Sequence, residues 1–153
     1  MIGDSMVFSG LGFSLKRLVE GRGATMTLAT QRNATTVMYN HEPQLDELLE
    51  TVDPDIVIIA LGSNELFLPS PEMREGDIKG IVSRIGDRPC VWVGPNPWAI
   101  EKGMLGVLKR SSAPCRYFDS SKLTFEHQDD GVHPTLRGGG TWANAVWKKY
   151  FER

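Results

Sequence analysis

Long apolar runs are missing from this chain: no stretch approaches the roughly 20 residues that a membrane-spanning helix needs. The amino terminus also lacks the basic cluster and apolar stretch of a secretory signal. The numbered chain is therefore expected to behave as a soluble protein, with room for a targeting segment upstream. Neither sign of charge is in excess, since 17 basic and 19 acidic side chains leave a formal charge of -2. That balance provides no electrostatic footprint for nucleic acid or an anionic membrane surface. Repeats, low-complexity tracts and charge blocks are absent, so the informative signals are alternating strands and helices.

Cysteine is scarce as well, with only Cys90 and Cys115. Each follows a proline and opens a short apolar run, CVWVG or CRYFD. If those runs are neighbouring parallel strands, both sulfurs lie at one end of the sheet. Strands about 4.8 Å apart are within the roughly 4.4 to 6.8 Å Cα separation that a disulfide accepts. The same positions equally suit two small, reduced core residues. A bridge would imply an oxidising, extracytoplasmic compartment, periplasmic or secreted.

What is present fits one domain over residues 1–153, large enough to bury a single core. The segments 25–30 (TMTLAT), 55–62 (DIVIIALG), 90–94 (CVWVG) and 115–119 (CRYFD) read as strands, most of them apolar on both faces, as parallel strands between helices require. A first strand must lead into Gly3, with only Met1 and Ile2 ahead of it. Either it is very short or the chain was cut from a longer one. Helical periodicity links Leu11, Leu15, Leu18 and Val19, then Leu45, Leu48, Leu49 and Val52, then Ile78, Ile81, Val82 and Ile85. A weaker helix is expected over 100–110, and a last one through Ala143, Val146, Trp147 and Tyr150. Strands alternating with helices predict a doubly wound α/β sandwich with right-handed crossovers.

In such a sheet, ligands bind beyond the carboxyl ends of the strands. The loops placed there carry Ser5, the QRNATT segment of residues 31–36, Ser63 to Glu65, the GPNPW segment and the Asp130-x-x-His133 of QDDGVHPT. Each signal alone is weak, because Gly-Asp-Ser is commonly a turn and an Asn after a strand commonly caps a helix. Together they supply every part of an acyl-transfer site.

These residues resemble the SGNH, or GDSL-like, hydrolase family. IGDSM is similar to its first block, LGSNE to its third and DGVHPT to its last, so the likeness spans nearly the whole chain. The resemblance implies a three-layer α/β/α sandwich around a flavodoxin-like, parallel five-stranded sheet. It also implies esterase, lipase, thioesterase or carbohydrate deacetylase activity and no cofactor. Ser5 would be the nucleophile, activated by His133, with Asp130 orienting the imidazole and stabilising the imidazolium. The oxyanion hole would comprise the Ser5 N–H, the Asn64 side-chain amide and a second-block N–H.

The chain departs from the family at that second block, where QRNATT offers no glycine. Asn33 is the best match by distance from Asn64, and asparagine tolerates unusual backbone angles; Ala34 is the alternative. Glu65 replaces the usual aspartate, and Met6 the name-giving leucine. An α/β-hydrolase is set aside because IGDSMV lacks the second glycine of its nucleophile elbow and Asp130 and His133 share one loop.

Trp98, Asn96 and Glu65 are expected at the substrate. His127, Asp129, Asp130 and His133 match no strong metal spacing, so no metal is expected, and His41 and His127 read as ordinary loop residues. Gly138 to Gly140 read as close packing at the start of the last helix and not as a phosphate loop. The expected activity is hydrolysis of small acyl esters, with O-acetyl groups on carbohydrate favoured by the similarity of GPNPW and Gly139, Gly140, Trp142 and Ala143 to extracytoplasmic relatives. The alternatives are an O-acyltransferase with the same residues and a noncatalytic domain binding a glycan or partner.

Overall fold

The structure, a computed structural model, describes residues 1–152. Five strands, β1 (Ile2–Gly3), β2 (Ala29–Thr30), β3 (Val57–Ala60), β4 (Cys90–Val93) and β5 (Arg116–Phe118), form one parallel sheet in the order β2-β1-β3-β4-β5. The helices are α1 (Gly12–Glu20), α2 (Thr36–His41), α3 (Gln44–Val52), α4 (Glu75–Ile85), α5 (Met104–Ser111) and α6 (Leu136–Tyr150). The fold is therefore the expected three-layer α/β sandwich. No helix among the described residues is long and apolar enough to cross a membrane.

Successive strand side chains point to opposite faces, and this alternation builds two cores. Val57, Ile59 and Trp92 pack with Leu45, Ile78, Ile81 and Val107, under α2 to α5. Ile58, Ala60 and Val91 pack with Leu11, Leu15, Trp142 and Val146, under α1 and α6. Burying a side chain such as Leu15 or Val146 stabilises by roughly 1.5–3 kcal/mol, so the helices flanking the sheet are firmly seated.

Three local readings change. The strand expected over 25–30 reduces to Ala29–Thr30, because its neighbour β1 offers partners only at Ile2 and Gly3. The helix expected from residue 100 starts at Met104, since the Glu101 carboxylate accepts the N–H groups of Gly103 at 2.7 Å and Leu105 at 2.9 Å, capping it there. The last helix starts earlier, at Leu136, with the Thr135 hydroxyl accepting the Gly138 N–H at 3.0 Å. Gly138 and Gly139 lie in its buried first turns.

Cys90 and Cys115 form a disulfide with Cα atoms 4.7 Å apart. It ties the amino ends of β4 and β5, at the opposite edge of the sheet from the loops that carry Ser5 and His133. The strand order reverses between β1 and β3, which opens a crevice at their carboxyl ends.

Candidate active site

Ser5 follows β1 directly, and Asp4 shapes its turn. The Asp4 N–H donates to the Ala60 carbonyl at 3.2 Å, and its own carbonyl accepts the Val7 N–H at 3.2 Å. Its carboxylate Oδ1 accepts the Met6 N–H at 2.9 Å. The helical segment beginning at Ser5 passes through a π-helical turn, Val7–Leu11, into α1. The Ser5 N–H thus stands at a helix amino end, where amides have no acceptor of their own.

His133 arrives from the other end of the chain. The Gln128 N–H donates to the His133 carbonyl at 2.7 Å, and the Thr135 N–H donates to the Glu126 carbonyl at 3.1 Å. Gly131, at φ +67°, makes the tight bend between them. This loop places His133 Nε2 2.9 Å from Ser5 Oγ and His133 Nδ1 2.7 Å from Asp130 Oδ2. The second Asp130 oxygen accepts the Val132 and His133 N–H groups at 2.8 and 2.9 Å. The hydrogen bond from the His133 side chain, followed by these two backbone bonds, lowers the Asp130 carboxyl to about 2. One line of hydrogen bonds therefore runs from a carboxylate through an imidazole to a hydroxyl.

Beyond β3, the turn Ser63–Glu65 brings Asn64 toward the same crevice. One amide hydrogen of Asn64 is given to the Ala34 carbonyl at 2.9 Å, leaving its second free. In the second loop, Asn33 takes the left-handed conformation at φ +57°. The neighbouring Ala34 N–H is committed to the Gln31 carbonyl at 3.2 Å, whereas the Asn33 N–H has no such bond among the described residues. Of the two candidates, only Asn33 retains an available N–H.

One expected substrate contact requires correction. Glu65 is 2% exposed, and its carboxylate accepts the Thr36 N–H at 3.0 Å, the Thr36 hydroxyl at 2.8 Å and Arg74 Nε at 2.9 Å. It pins the loop after β3 to α2 from beneath and is closed to substrate. Asn96 spends its amide on the Ser120 and Leu123 carbonyls at 2.8 and 3.0 Å, which secures the loop after β5. Trp98 is half-buried over the strand ends, with its indole N–H on Ser63. His127 stacks on Phe125 with centroids 4.9 Å apart, and no three metal-binding side chains converge among the described residues.

The sequence reading gave no role to Asp4. It is 1% exposed, and Oδ2 has no hydrogen-bond partner. Burial, opposed by the Met6 and Ser63 backbone N–H dipoles, raises its carboxyl to about 7. The acid directly before the serine was the available signal, but its burial depends on the packing of β3 and β4 around it. A cavity of about 10 Å³ beside it, lined by Met6, Leu61, Ser63, Pro95 and Trp142, holds at most one water. A larger concavity, about 370 Å³, lies at the amino ends of the strands around Met26, Ile56 and Trp147, remote from this site.

No family model matches the chain. It is similar to the protein BcsX of Komagataeibacter xylinus, with 27% identity over 124 residues that cover 68% of this chain and 46% of that one. The chain thus spans under half the length of that relative. Among solved structures it is similar to the psychrotrophic esterase EstA from Pseudoalteromonas sp., a crystal structure inhibited by monoethylphosphonate. That match has a TM-score of 0.70 and 17% identity over 96% of this chain and 94% of the esterase. At that identity the likeness is one of fold.

Proposed function

We propose that this chain is a serine esterase of the SGNH type that hydrolyses short acyl esters, with O-acetyl groups on carbohydrate as its substrate class. The observation that carries the reading is the Ser5–His133–Asp130 line, at 2.9 and 2.7 Å. His133 Nε2 takes the Ser5 proton as Oγ attacks the ester carbonyl, and Asp130 holds the imidazolium through Nδ1. The oxyanion is received by the N–H groups of Ser5 and Asn33 and the free amide hydrogen of Asn64. Collapse of the tetrahedral intermediate breaks the ester C–O bond, and His133 gives its proton to the departing alcohol. Water then repeats the sequence on the acyl-Ser5, with His133 as base, and releases the acid.

The fold shared with an esterase inhibited by monoethylphosphonate supports the same chemistry. The Cys90–Cys115 bridge supports an extracytoplasmic location.

The test is labelling with a fluorophosphonate, located by peptide mass spectrometry, together with turnover of p-nitrophenyl acetate. Label on Ser5 and measurable turnover are expected; absence of both overturns the reading. Asn64→Ala is expected to lower kcat by about 100 to 1,000-fold, as loss of one oxyanion donor does elsewhere.

A further inference from the structure

Beside Asn64 stands an aromatic pair that the acyl-transfer line does not use. Trp98 packs against residues of both cores, which puts it over the strand ends and not within one helical layer. Its Nε1–H donates to the Ser63 carbonyl at 3.1 Å and the Ser63 hydroxyl at 3.0 Å. Those two acceptors on one residue fix the rotation of the indole, and Ser63 directly precedes Asn64. Phe67 follows in the same loop and meets the indole edge to face, with ring centroids 6.1 Å apart and planes at 69°. Its backbone neighbour is also held, since the Leu66 carbonyl accepts the Lys102 N–H at 3.2 Å. Phe67 nevertheless stays 51% exposed.

An aromatic ring fixed by its neighbours and left half in water offers a ready-made face at little entropic cost. The chemistry of that face favours one occupant. Phe67 is 51% exposed and two residues lie between it and Asn64 in the loop after β3, so a group resting on its ring lies at the open rim and keeps one side in water. A long alkyl group there would remain largely wet, whereas apolar ligands are taken up in enclosing cavities. A pyranose ring differs, because its C–H face is drawn to the electron-rich face of an aromatic while its hydroxyls stay in water.

We propose that Phe67 and Trp98 form an open aromatic shelf that takes a pyranose ring of the alcohol half of the substrate, making Phe67 a specificity-determining residue. The inference rests on the esterase reading for the reaction, but sugar binding at the shelf does not require turnover.

The test compares two acetyl esters, acetylated xylotetraose and ethyl acetate, the second of which has no ring to stack. Phe67→Ala is expected to lower the ratio of kcat/KM for the sugar ester over ethyl acetate about tenfold, mainly through KM. Phe67→Tyr, which keeps the ring, is expected to restore the ratio. A ratio unchanged in Phe67→Ala overturns the shelf even where Ser5 reacts with the fluorophosphonate. If neither ester turns over and Ser5 stays unlabelled, the esterase reading fails separately. Titration of tryptophan fluorescence with xylotetraose then decides the shelf: a saturable change weakened in Phe67→Ala supports it, and no change overturns it.

Discussion

A methyl group placed on Gly139 would fall 2.6 Å from the Gly10 Cα, a separation no packed structure tolerates. Gly10 belongs to the π-helical turn that Ser5 leads into, and Gly139 lies in the first turns of α6, just past His133. The contact between these glycines therefore sets the spacing of the two segments that bring Ser5 and His133 together. Gly139→Ala is expected to force them apart, costing about 1–3 kcal/mol of stability through overpacking. Because displacement of a reacting group by about 1 Å costs on the order of 100-fold, kcat should fall by that much. Thermal unfolding and steady-state kinetics on one ester measure both; an unchanged kcat would show that the spacing is set elsewhere.

Asp130→Asn is expected to lower kcat by about 10,000-fold, since the amide holds the wrong tautomer of His133 while leaving the shape intact. In the unmodified chain the Asp130 carboxyl is held down to about 2 by the His133 hydrogen bonds. It stays ionised throughout the working range. The pH profile of kcat/KM between 4 and 9 should then contain no step from Asp130.

Asp4 makes stability fall as pH rises. Its carboxyl, buried beside Met6, is raised from 3.8 to about 7 in the folded chain. Between those values the folded state keeps a proton that the unfolded state has released, so folding weakens across that window. The full penalty, on the order of 4 kcal/mol, is present above pH 7 and absent below pH 4. Asp4→Asn, which has the shape of the neutral acid, should raise the unfolding temperature at pH 8 and change it little at pH 4. Equal shifts at both pH values would contradict this.

Glu65→Ala removes the partner of Arg74 Nε and of both Thr36 donors. Breaking a buried ion pair on one side typically costs about 3–5 kcal/mol, and a lower urea midpoint is expected. A residue that contacted substrate would instead raise KM and leave the midpoint where it was.

The layers of this fold were legible because helical and strand periodicities are local properties of the chain. Leu45, Leu49, Ile78 and Ile85 all enter the core that their spacing foretold. The short β2 was not legible, because a strand's length depends on its partner, and β1 ends the ladder after Gly3. The site divides in the same way. Ser5, Asp130, His133 and Asn64 could be picked out by residue type and by position after a strand, and the structure brings Ser5, His133 and Asp130 into one hydrogen-bonded line. Glu65 sits at an equally suitable position, but the way its side chain turns depends on Arg74 and Thr36, which lie outside its own turn. Burial of Asp4 likewise comes from β3 and β4, and nothing within a few residues of it announces the raised carboxyl.

The hydrogen bond between Ser5 and His133 joins residues 128 positions apart. Strands β2 to β5 lie between them in the chain, so the pair forms only when the first and last loops meet across the sheet. Covalent labelling of Ser5 thereby reports completion of folding as well as chemistry. A refolding chain is expected to regain its helical signal before it regains reactivity toward a phosphonate, with the last contact in sequence separation also the last to become functional.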